Sequence, residues 1–399
     1  MNIRKITDRV SYCGVNDRTT TLFENLWELP MGVSYNSYVI TGSEHTAIID
    51  GCSEKLAGIY MEQVTAVTGA GKPDYIVVNH VEPDHSGALP RLLLRFPDIR
   101  IVTNAKAAAM IEGFYGIGDD RLLIVGDGDT LDLGDATLRF ILTPMVHWPE
   151  TMMTFLEQEG VLFSGDAFGC FGALCGAVTD DETDCSRYIS EARRYYACIV
   201  AKYGTFVSRA IDKCSNLSIN HICSTHGPVW HSRIGEIVDL YGRMARWDAR
   251  PGVVIAYGSM YGNTESMAEM LAARLVEEGV RDLRMHHLSY APLSRVLADV
   301  MEFNSIAIVS PVYNTEVYPP AARLIEALGN RGIRRRNLAL AGSYSWGAQS
   351  VARMSRMTDN WDVNRIEPRP EMKQHRLSDS AEAIGRLAAN LAAAALDNK

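Results

Sequence analysis

The segment Asn79–Pro90, NHVEPDHSGALP, decides the interpretation of this sequence because it places His80, Glu82, Asp84 and His85 in one short loop. The loop follows the apolar run YIVV, which has the composition of a buried strand. Neighbouring positions of a loop point in different directions, so these four side chains can provide separate ligands for two metal ions. The simpler alternative is a polar loop whose acidic residues cap a helix.

Three further residues of the same chemical types follow other apolar runs. His147 comes after TLRFILT, Asp166 closes VLFSGD, and His226 closes HICSTH. Side chains at strand ends are common components of sites in α/β proteins. Four imidazoles and three carboxylates suit two metal ions that share one carboxylate. The other histidines lie at turns, within a strand or among polar residues and are expected to be structural: His45, His221, His231, His286, His287 and His375.

The first 250 residues alternate short β-rich runs with helical patterns. The strand candidates are SYVIT, TAIID, YIVVN, RIVT, LLIV, TLRFILT, VLFSG and HICST. Apolar residues with a helical period cover residues 54–67, 88–96, 186–202 and 234–247. Several strands follow one another before any long helix. This order predicts two sheets between two layers of helices, a four-layer αββα domain.

The pattern changes around DARPG, residues 248–252, where Pro and Gly end the preceding helix. Apolar strands then alternate with helices in the order GVVIAYG, NTESMAEMLAARLVEEG, SIAIVS, PPAARLIEALG and LALAGSY. Strands that are apolar throughout and separated by helices are typical of a doubly wound parallel sheet. We therefore expect two domains, residues 1–249 and residues 250–399.

The segment Tyr257–Ser266, YGSMYGNTES, joins the first strand of the second domain to a helix. It is neither a Walker loop nor a GxGxxG motif. The hydroxyl groups of Ser259, Tyr261 and Thr264, with free backbone N–H groups and Gly262 for close approach, predict an anion site at a helix N-terminus. The alternative is an ordinary turn whose polar side chains cap the helix.

Two later segments follow core strands of the same domain: Ser310–Glu316, SPVYNTE, and Gly342–Ala348, GSYSWGA. In a doubly wound sheet such loops flank the topological switch point, where ligands bind. Each segment contains an aromatic residue, Tyr313 in the first and Trp346 in the second, that could stack on a planar ring.

The order His, acidic residue, Asp, His, followed by a distant His, Asp and His, is similar to that of the metallo-β-lactamase superfamily. In that superfamily the loop usually reads HxHxDH and holds zinc, whereas Glu82 replaces the second His here. This replacement, the segment GDAFGCFGAL around Asp166 and the second domain resemble the flavodiiron proteins, or A-type flavoproteins, over essentially the whole chain. The resemblance implies an αββα domain like that of the metallo-β-lactamases followed by a flavodoxin-like domain.

The resemblance also implies the cofactors and their ligands. His80, Glu82 and His147 would bind one iron, Asp84, His85 and His226 would bind the other, and Asp166 would bridge them. Ligand sets of imidazole and carboxylate without thiolate suit iron, and an added carboxylate favours the ferric state. FMN would be contacted by Ser259, Met260, Tyr261, Gly262, Asn263, Thr264, Ser310, Pro311, Val312, Tyr313, Asn314, Thr315, Gly342, Ser343, Tyr344, Ser345, Trp346 and Gly347.

The family further suggests that a phenol near the irons donates a proton. Of the neighbouring Tyr195 and Tyr196 in RRYYACIV, Tyr196 is the predicted catalytic residue. A tyrosine on a helix is also often a packing residue, with its hydroxyl at the edge of the core. Trp148, beside His147, is expected to form a wall of the pocket.

The resemblance implies an enzyme that reduces O2 to water, NO to N2O, or both, with FMN returning electrons to the diiron centre. The sequence contains no C-x-x-C pair and hence no rubredoxin, so an external donor such as rubredoxin is expected. The family also suggests a head-to-tail homodimer or a dimer of dimers. Two alternatives stay open: a zinc-dependent hydrolase with an appended flavodoxin module, and a flavin electron carrier with a degenerate first domain.

The composition narrows the choice of partners. A formal net charge of −9 and a pI of about 5.6 argue against a nucleic-acid partner. The absence of a long apolar run argues against a membrane segment or a signal peptide. The eight cysteines are expected to be buried thiols of a cytoplasmic protein. The basic cluster RGIRRR, residues 331–336, is expected to be a solvated polar turn or a docking surface for an acidic partner.

Overall fold

The computed structural model describes residues 3–69 and 71–397. The chain forms two compact units, Met1–Gly242 and Arg243–Lys399. Each unit contains its own sheets, and helix Ile234–Arg246 includes the boundary between the units.

The first unit is rich in short strands. They are β1 Arg4–Lys5, β2 Val10–Tyr12, β3 Val15–Asp17, β4 Leu22–Phe23, β5 Trp27–Glu28, β6 Val33–Tyr35, β7 Tyr38–Thr41, β8 Thr46–Ile49, β9 Tyr75–Val77, β10 Arg100–Thr103, β11 Leu122–Ile124, β12 Thr130–Asp132, β13 Thr137–Leu142, β14 Met152–Leu156, β15 Val161–Gly165 and β16 His221–Ser224. The helices are α1 Ala57–Thr68, α2 Pro83–Ser86, α3 Leu89–Arg95, α4 Ala105–Tyr115, α5 Ser186–Tyr195, α6 Gly204–Cys214 and α7 Ile234–Arg246. Every strand expected from the sequence in this unit is present, whereas β12, β14 and the short strands β1–β6 were not expected.

These strands form two main sheets. One has the order β1-β2-β7-β8-β9-β10-β11 and the other the order β12-β13-β14-β15-β16. The sheets contact each other through their side chains, because the rings of Tyr38 on β7 and Phe163 on β15 lie 5.3 Å apart. Thr154 on β14 also donates a hydrogen bond to Asn79 Oδ1 at 2.8 Å. Strands β4 and β5 form a separate small hairpin.

The order of the strands brings the predicted metal ligands to one place. The predicted ligands follow the ends of β9, β13, β15 and β16, which belong to both sheets. The buried strands β9 and β15 carry no charged side chain, and the ligands lie where these strands end. After β9, Pro83 occupies the first turn of α2, where a proline loses no helical hydrogen bond. This one-turn helix carries Asp84 and His85.

The helix expected over residues 186–202 is interrupted, so that prediction was wrong. Helix α5 ends at Tyr195, a π-helical turn covers Tyr196–Val200, and a 3₁₀ turn covers Ala201–Tyr203. A π turn adds a residue to the helical repeat and is common at functional sites. The periodicity of the sequence does not reveal this extra residue.

The second unit is a doubly wound sheet. Its strands are β17 Arg250–Tyr257, β18 Leu283–His287, β19 Phe303–Tyr313, β20 Glu316–Val317, β21 Arg334–Tyr344, β22 Asp362–Ile366 and β23 Glu371–Lys373. Its helices are α8 Asn263–Glu277, α9 Leu293–Glu302, α10 Pro319–Asn330, α11 Ser350–Met357 and α12 Leu377–Leu396. The parallel order β18-β17-β19-β21-β22 confirms the predicted sheet, and its switch point lies between β17 and β19.

The basic cluster RGIRRR is not a solvated turn. Arg334 begins β21, and Arg336 is only 2% exposed. The Arg336 guanidinium donates hydrogen bonds to the carbonyl oxygens of Val300, Met301 and Trp247 and stacks on the Trp247 ring at 5.1 Å. Burial lowers the pKa of Arg336 to about 9, which keeps the group charged at neutral pH. The basic run therefore includes a core residue that binds main-chain carbonyls.

All eight cysteines are free thiols. Seven of them are buried, as expected, but Cys175 is exposed, so the prediction was wrong for that residue. Within residues 3–69 and 71–397 no helix has the length and hydropathy that a membrane-spanning helix requires.

Replacing Arg336 with Ala should destabilise the second unit by roughly 2–4 kcal/mol, because the variant leaves buried carbonyl oxygens without donors. Arg335→Ala is the matched control, since it removes an exposed pair with Asp248 that is worth about 1 kcal/mol or less. Calorimetry of the full-length protein would measure both changes. Equal losses of stability in the two variants would contradict the structural role of Arg336.

Candidate functional site

The seven ligand-type residues predicted from the sequence lie together. Their ligand atoms form two groups, within each of which all atoms lie within 4.8 Å of one another: His80, Glu82, His147 and Asp166 in one group, and Asp84, His85 and His226 in the other. The imidazoles and Asp166 are buried, whereas Glu82 and Asp84 are partly exposed. Some exposure of the cluster therefore comes from the side chains of Glu82 and Asp84.

Asp166 connects the two groups. Its Oδ1 lies 3.0 Å from His85 Nε2 and 3.6 Å from His226 Nε2, and its Oδ2 lies 3.1 Å from His147 Nε2 and 3.5 Å from His80 Nε2. Thr225 donates a hydrogen bond to Oδ1 at 2.7 Å, which helps to fix the carboxylate plane. A carboxylate with each oxygen facing a different pair of imidazoles can bridge two metal ions.

The cluster fits a pair of metal ions. Both carboxylate oxygens of Asp84 and Nε2 of His226 are buried and accept or donate no hydrogen bond among the described residues. Buried polar atoms without partners destabilise a protein, so these atoms call for a further group. A cation satisfies them, and imidazole with carboxylate suits transition metals such as iron or zinc.

The cluster is strongly polarised in the metal-free protein. Burial alone would lower the pKa of His85, but Asp84 and Asp166 outweigh this effect and raise it to about 9. Burial also opposes the rise of the His147 pKa, which Asp166 and Glu82 bring to about 9. Protons therefore offset the carboxylate charges in the absence of metal. Metal binding would displace them, so occupancy should depend on pH.

The imidazoles are oriented from behind by groups that the sequence analysis missed. His80 Nδ1 lies 2.7 Å from Glu150 Oε1, and His226 Nδ1 lies 2.8 Å from the carbonyl oxygen of Ser34. Both acceptors require a proton on Nδ1, which leaves Nε2 free to face the cluster. Glu150 lies three residues after His147, so its proximity to a ligand was a usable signal. Ser34 contributes only main chain, which leaves no trace in the sequence.

Aromatic rings surround the His226 side of the cluster. The rings of Phe23, Tyr35 and Tyr195 lie 5.4, 5.6 and 5.5 Å from the His226 ring. On the other side, the Trp148 ring lies 5.2 Å from the His80 ring. The cluster is thus partly shielded from water, which strengthens its electrostatic interactions.

The two adjacent tyrosines at the end of α5 have different neighbours. Tyr195 contacts His226, and its hydroxyl is buried without a hydrogen-bond partner among the described residues. The predicted residue, Tyr196, packs its ring 5.1 Å from that of Tyr241 instead. The structure therefore brings Tyr195, the neighbour of the predicted residue, to the cluster.

The hairpin β4–β5 lies beside the cluster through Phe23. At its tip Glu24 and Asn25 have φ values of 50° and 54°, and Leu26 N donates to Phe23 O at 2.9 Å. Positive φ is uncommon for a residue such as glutamate. The hairpin is held by the fully buried Arg194, which donates to the Glu28 carbonyl oxygen at 2.8 Å and pairs with Glu191.

Glu24 is a further acidic group near the ligands that the sequence analysis missed. Although the residue is exposed overall, partial desolvation of its carboxyl group, followed by repulsion from Glu82, raises the pKa of Glu24 to about 7. Asp84 and Asp166 act in the same direction, and His147 opposes them. No motif or long strand marks this position, because the hairpin has only two residues in each strand.

The second unit contains a cavity of about 400 Å³ at the ends of β17, β19 and β21. It is lined by Ser259, Met260, Tyr261, Asn263, Thr264, Pro311, Val312, Tyr313, Asn314, Thr315, Ser343, Tyr344, Ser345, Trp346, Gly347 and Gln374. The structure thus gathers most of the predicted cofactor-binding residues around one cavity. Of the predicted set, Gly262, Ser310 and Gly342 do not line it, and Gln374 was missed.

The first of these loops makes a tight turn before α8. Gly262 precedes α8 with φ 87°, and its N–H donates to Ser259 Oγ at 3.1 Å. Thr264 shares a hydrogen bond of 2.8 Å with Ser343 across the cavity floor, linking two of the loops. At the rim, Tyr261 and Trp346 are 89% and 86% exposed, so both rings can be covered by a ligand or a partner.

Comparison with known proteins agrees with both halves of this description. Residues 33–227 match the family model of the ODP family beta lactamase, and residues 255–382 match that of flavodoxin. The chain is 31% identical over 347 residues to a nitric oxide reductase of Moorella thermoacetica, covering 86% of each protein.

Two solved structures share the whole fold. The rubredoxin oxygen:oxidoreductase of Desulfovibrio gigas has a TM-score of 0.93 and 26% identity, with 98% of both chains covered. A variant of the flavo di-iron protein of Thermotoga maritima has a TM-score of 0.89 and 26% identity, again over 98% of both chains. The two-unit architecture is thus common to this chain and to both of these proteins.

In the metal-free protein Glu24→Gln should increase thermal stability above neutral pH. The Glu24 pKa of about 7 lies above its ordinary value of 4.5, so the folded state holds the proton more tightly than the unfolded state. Wild-type stability therefore falls as the pH rises from about 4.5 through 7, and the variant avoids this loss. Melting temperatures of the wild type and of Glu24→Gln at pH 5.5 and pH 8 test this prediction. Glu44→Gln, at an exposed residue, is the control. If the change in melting temperature between pH 5.5 and pH 8 is the same in Glu24→Gln as in the wild type, the prediction is contradicted.

Proposed function

The chain belongs to the flavodiiron proteins, and we propose that it reduces O2 to water, NO to N2O, or both, with electrons that pass from FMN to a pair of iron ions. The observation that carries this proposal is the cluster of seven ligands divided into two groups around Asp166. A flavin electron carrier with a degenerate first domain would not need this cluster. The cluster therefore favours an enzyme over a simple carrier.

The donor set supports iron as the metal. His80, Glu82 and His147 would hold one ion, Asp84, His85 and His226 the other, and Asp166 both. Three carboxylates offset most of the charge of two ferrous ions, and hard anionic oxygen stabilises the ferric state. When bound, the iron pair supplies two electrons and the place where a diatomic gas reacts. The protein residues hold the ions and exclude water around them.

The cavity of the second unit supports FMN as the electron source. Backbone N–H groups at the start of α8, with the hydroxyls of Ser259 and Thr264, would bind the phosphate. The loops after β19 and β21 would hold the flavin ring, with Tyr313 or Trp346 stacked on it. A reduced flavin carries two electrons, which together with those of the iron pair equal the four needed to convert one O2 into two waters.

The reactions also consume protons. Reduction of O2 to two waters takes up four, and coupling of two NO to N2O and water takes up two. Tyr195 is the proposed donor of a hydrogen bond or proton, because its ring lies 5.5 Å from that of His226 and its buried hydroxyl has no hydrogen-bond partner among the described residues. Burial raises the pKa of Tyr195 well above its ordinary value, which keeps the phenol protonated.

The remaining partners are proposed from the family. An external donor such as rubredoxin would reduce FMN, as the name of the Desulfovibrio gigas relative indicates for that protein. A head-to-tail homodimer or a dimer of dimers would bring the flavin of one subunit near the irons of another. The exposed aromatic rim of Tyr261 and Trp346 supports a partner at this surface. A fully active monomer would contradict the dimer. A cytoplasmic location agrees with eight cysteines that form no disulfide.

The proposal predicts rapid loss of O2, NO or both from solution. The purified protein, loaded with iron and FMN, would be reduced under anaerobic conditions and given each gas in separate electrode experiments. The ratio of the two rates identifies the preferred gas. If neither gas disappears although iron and FMN are bound, the proposed function is wrong and assays for hydrolysis follow.

The variant Glu82→His tests whether Glu82 makes the cluster selective for iron. It restores the usual zinc-type loop, so it should reduce iron retention and gas consumption while zinc still binds. Full gas consumption by this variant with two irons bound would contradict the role given to Glu82. Zinc in the wild-type protein as purified would favour the hydrolase alternative.

Tyr195→Phe and Tyr196→Phe separate the two tyrosines. Loss of a hydrogen bond or proton at the reacting gas should lower turnover about tenfold or more in Tyr195→Phe. Tyr196→Phe should change turnover little, because its ring packs against Tyr241. Rates measured as a function of pH, at matched iron content, test the difference. A larger loss in Tyr196→Phe would restore Tyr196 as the proton donor.

A further inference from the structure

Each of the two groups of ligands offers the same chemistry to its metal. The first position, formed by His80, Glu82 and His147, has two imidazoles and one carboxylate. The second position, formed by Asp84, His85 and His226, also has two imidazoles and one carboxylate. Both share Asp166. Any difference between the two positions must therefore arise from the groups behind the ligands.

We propose that Glu150 makes the two positions unequal: as a positioning residue behind His80, it causes the first position to hold its iron more tightly and to favour the ferric state more than the second. The proposal rests on the proposed function for iron as the metal. It concerns the protein residues themselves, so it also applies to other divalent ions bound by the same ligands.

The contacts of Glu150 support a strong effect on His80. Oε1 lies 2.7 Å from His80 Nδ1 and accepts a hydrogen bond from Val81 N at 3.1 Å. The residue is 1% exposed, and Oε2 has no hydrogen-bond partner among the described residues. Among those residues its only ion-pair partner is His80. The negative charge is therefore directed at one imidazole rather than shared with a lysine or an arginine.

The position of Glu150 is fixed by the main chain. Asn104 caps the N-terminus of α4 and donates a hydrogen bond from Nδ2 to the Glu150 carbonyl oxygen at 2.6 Å. A carboxylate held in this way keeps the Nδ1 proton of His80 in place and increases the electron density at Nε2.

Among the described residues, no carboxylate forms a hydrogen bond with an imidazole of the second position from behind. His226 Nδ1 faces the neutral carbonyl oxygen of Ser34, and His85 Nδ1 is buried without a hydrogen-bond partner in the described part of the chain. A neutral carbonyl fixes the tautomer but adds no charge. His85 has neither. Because a more basic imidazole binds a cation more strongly and stabilises its higher charge, the first position should retain metal longer.

The experiment measures the release of iron. The protein, loaded with two Fe²⁺ under anaerobic conditions, is mixed with ferrozine, and the coloured complex is followed over time. The wild type should release iron in two phases of equal size. The slow phase should disappear in His80→Ala, and the fast phase should disappear in His226→Ala, which assigns the phases to the two positions.

Glu150→Gln keeps the shape of the side chain and removes its charge. In this variant the slow phase should become about 10–100-fold faster, while the fast phase stays within a factor of about two. The first oxidation step in a redox titration should move to a higher potential. Glu157→Gln removes the same charge from the same unit, at a residue paired with Arg139, and should leave both phases unchanged.

A single phase of release in the wild type would overturn the proposal. So would an unchanged slow phase in Glu150→Gln at normal FMN content and circular dichroism. If the protein retains no iron at all, the proposed function fails by itself, and the same release experiment with Zn²⁺ and a zinc-binding dye still tests Glu150. If Glu150→Gln does not fold, Glu150→Asp takes its place, because it keeps the charge but withdraws it from Nδ1 and should also accelerate the slow phase.

Discussion

The rest of the first unit depends on one constraint: four imidazoles and three carboxylates must share a largely buried space. Isolated charges in such a place would be strongly destabilising, so they are tolerated only because each faces opposite charge. Asp166 connects the two groups, because its two carboxylate oxygens contact imidazoles of both. Its position at the end of β15, in the interior of a sheet, leaves it no access to water and makes cations the natural partners of the cluster.

The surrounding structure serves to keep this arrangement fixed and partly dry. Main-chain and side-chain acceptors behind His80 and His226 select the tautomer that exposes Nε2. The hairpin β4–β5 is too short to be stable alone, and the buried Arg194 and the ring of Phe23 hold it against the cluster. At the π turn after Tyr195 the two adjacent tyrosines have different neighbours: the Tyr195 ring lies 5.5 Å from that of His226, and the Tyr196 ring lies 5.1 Å from that of Tyr241.

In the second unit, backbone N–H groups rather than charged side chains are available to bind an anionic group. Its cavity lies where the strand order reverses, and the glycine before α8 leaves N–H groups available at the helix start. Thr315 in the adjoining loop has φ 61°, which is unusual for a β-branched residue and indicates a tightly constrained turn at the cavity edge. A phosphate bound in this way needs no lysine or arginine. The acidic balance of the chain therefore does not prevent the binding of an anionic cofactor.

The sequence by itself determined the two folds and the seven ligand-type residues. Alternation of apolar runs with helices is a local property, and His80, Glu82, Asp84 and His85 occur in one unbroken loop. Their resemblance to a family motif then predicted their roles as metal ligands. Only the tertiary structure decided what lies behind and around them. Ser34 and Glu24 reach the cluster from distant parts of the chain, and a main-chain carbonyl carries no residue-specific signal. Glu150 is close to His147 in sequence, but only the fold places it behind His80. Arg336 looked like a surface charge because the sequence cannot show which carbonyls are close enough to bind it. Tyr195 and Tyr196 differ by one position, and the π turn that begins at Tyr196, which the periodicity of the sequence does not record, lies where the Tyr195 ring packs beside His226 and the Tyr196 ring beside Tyr241.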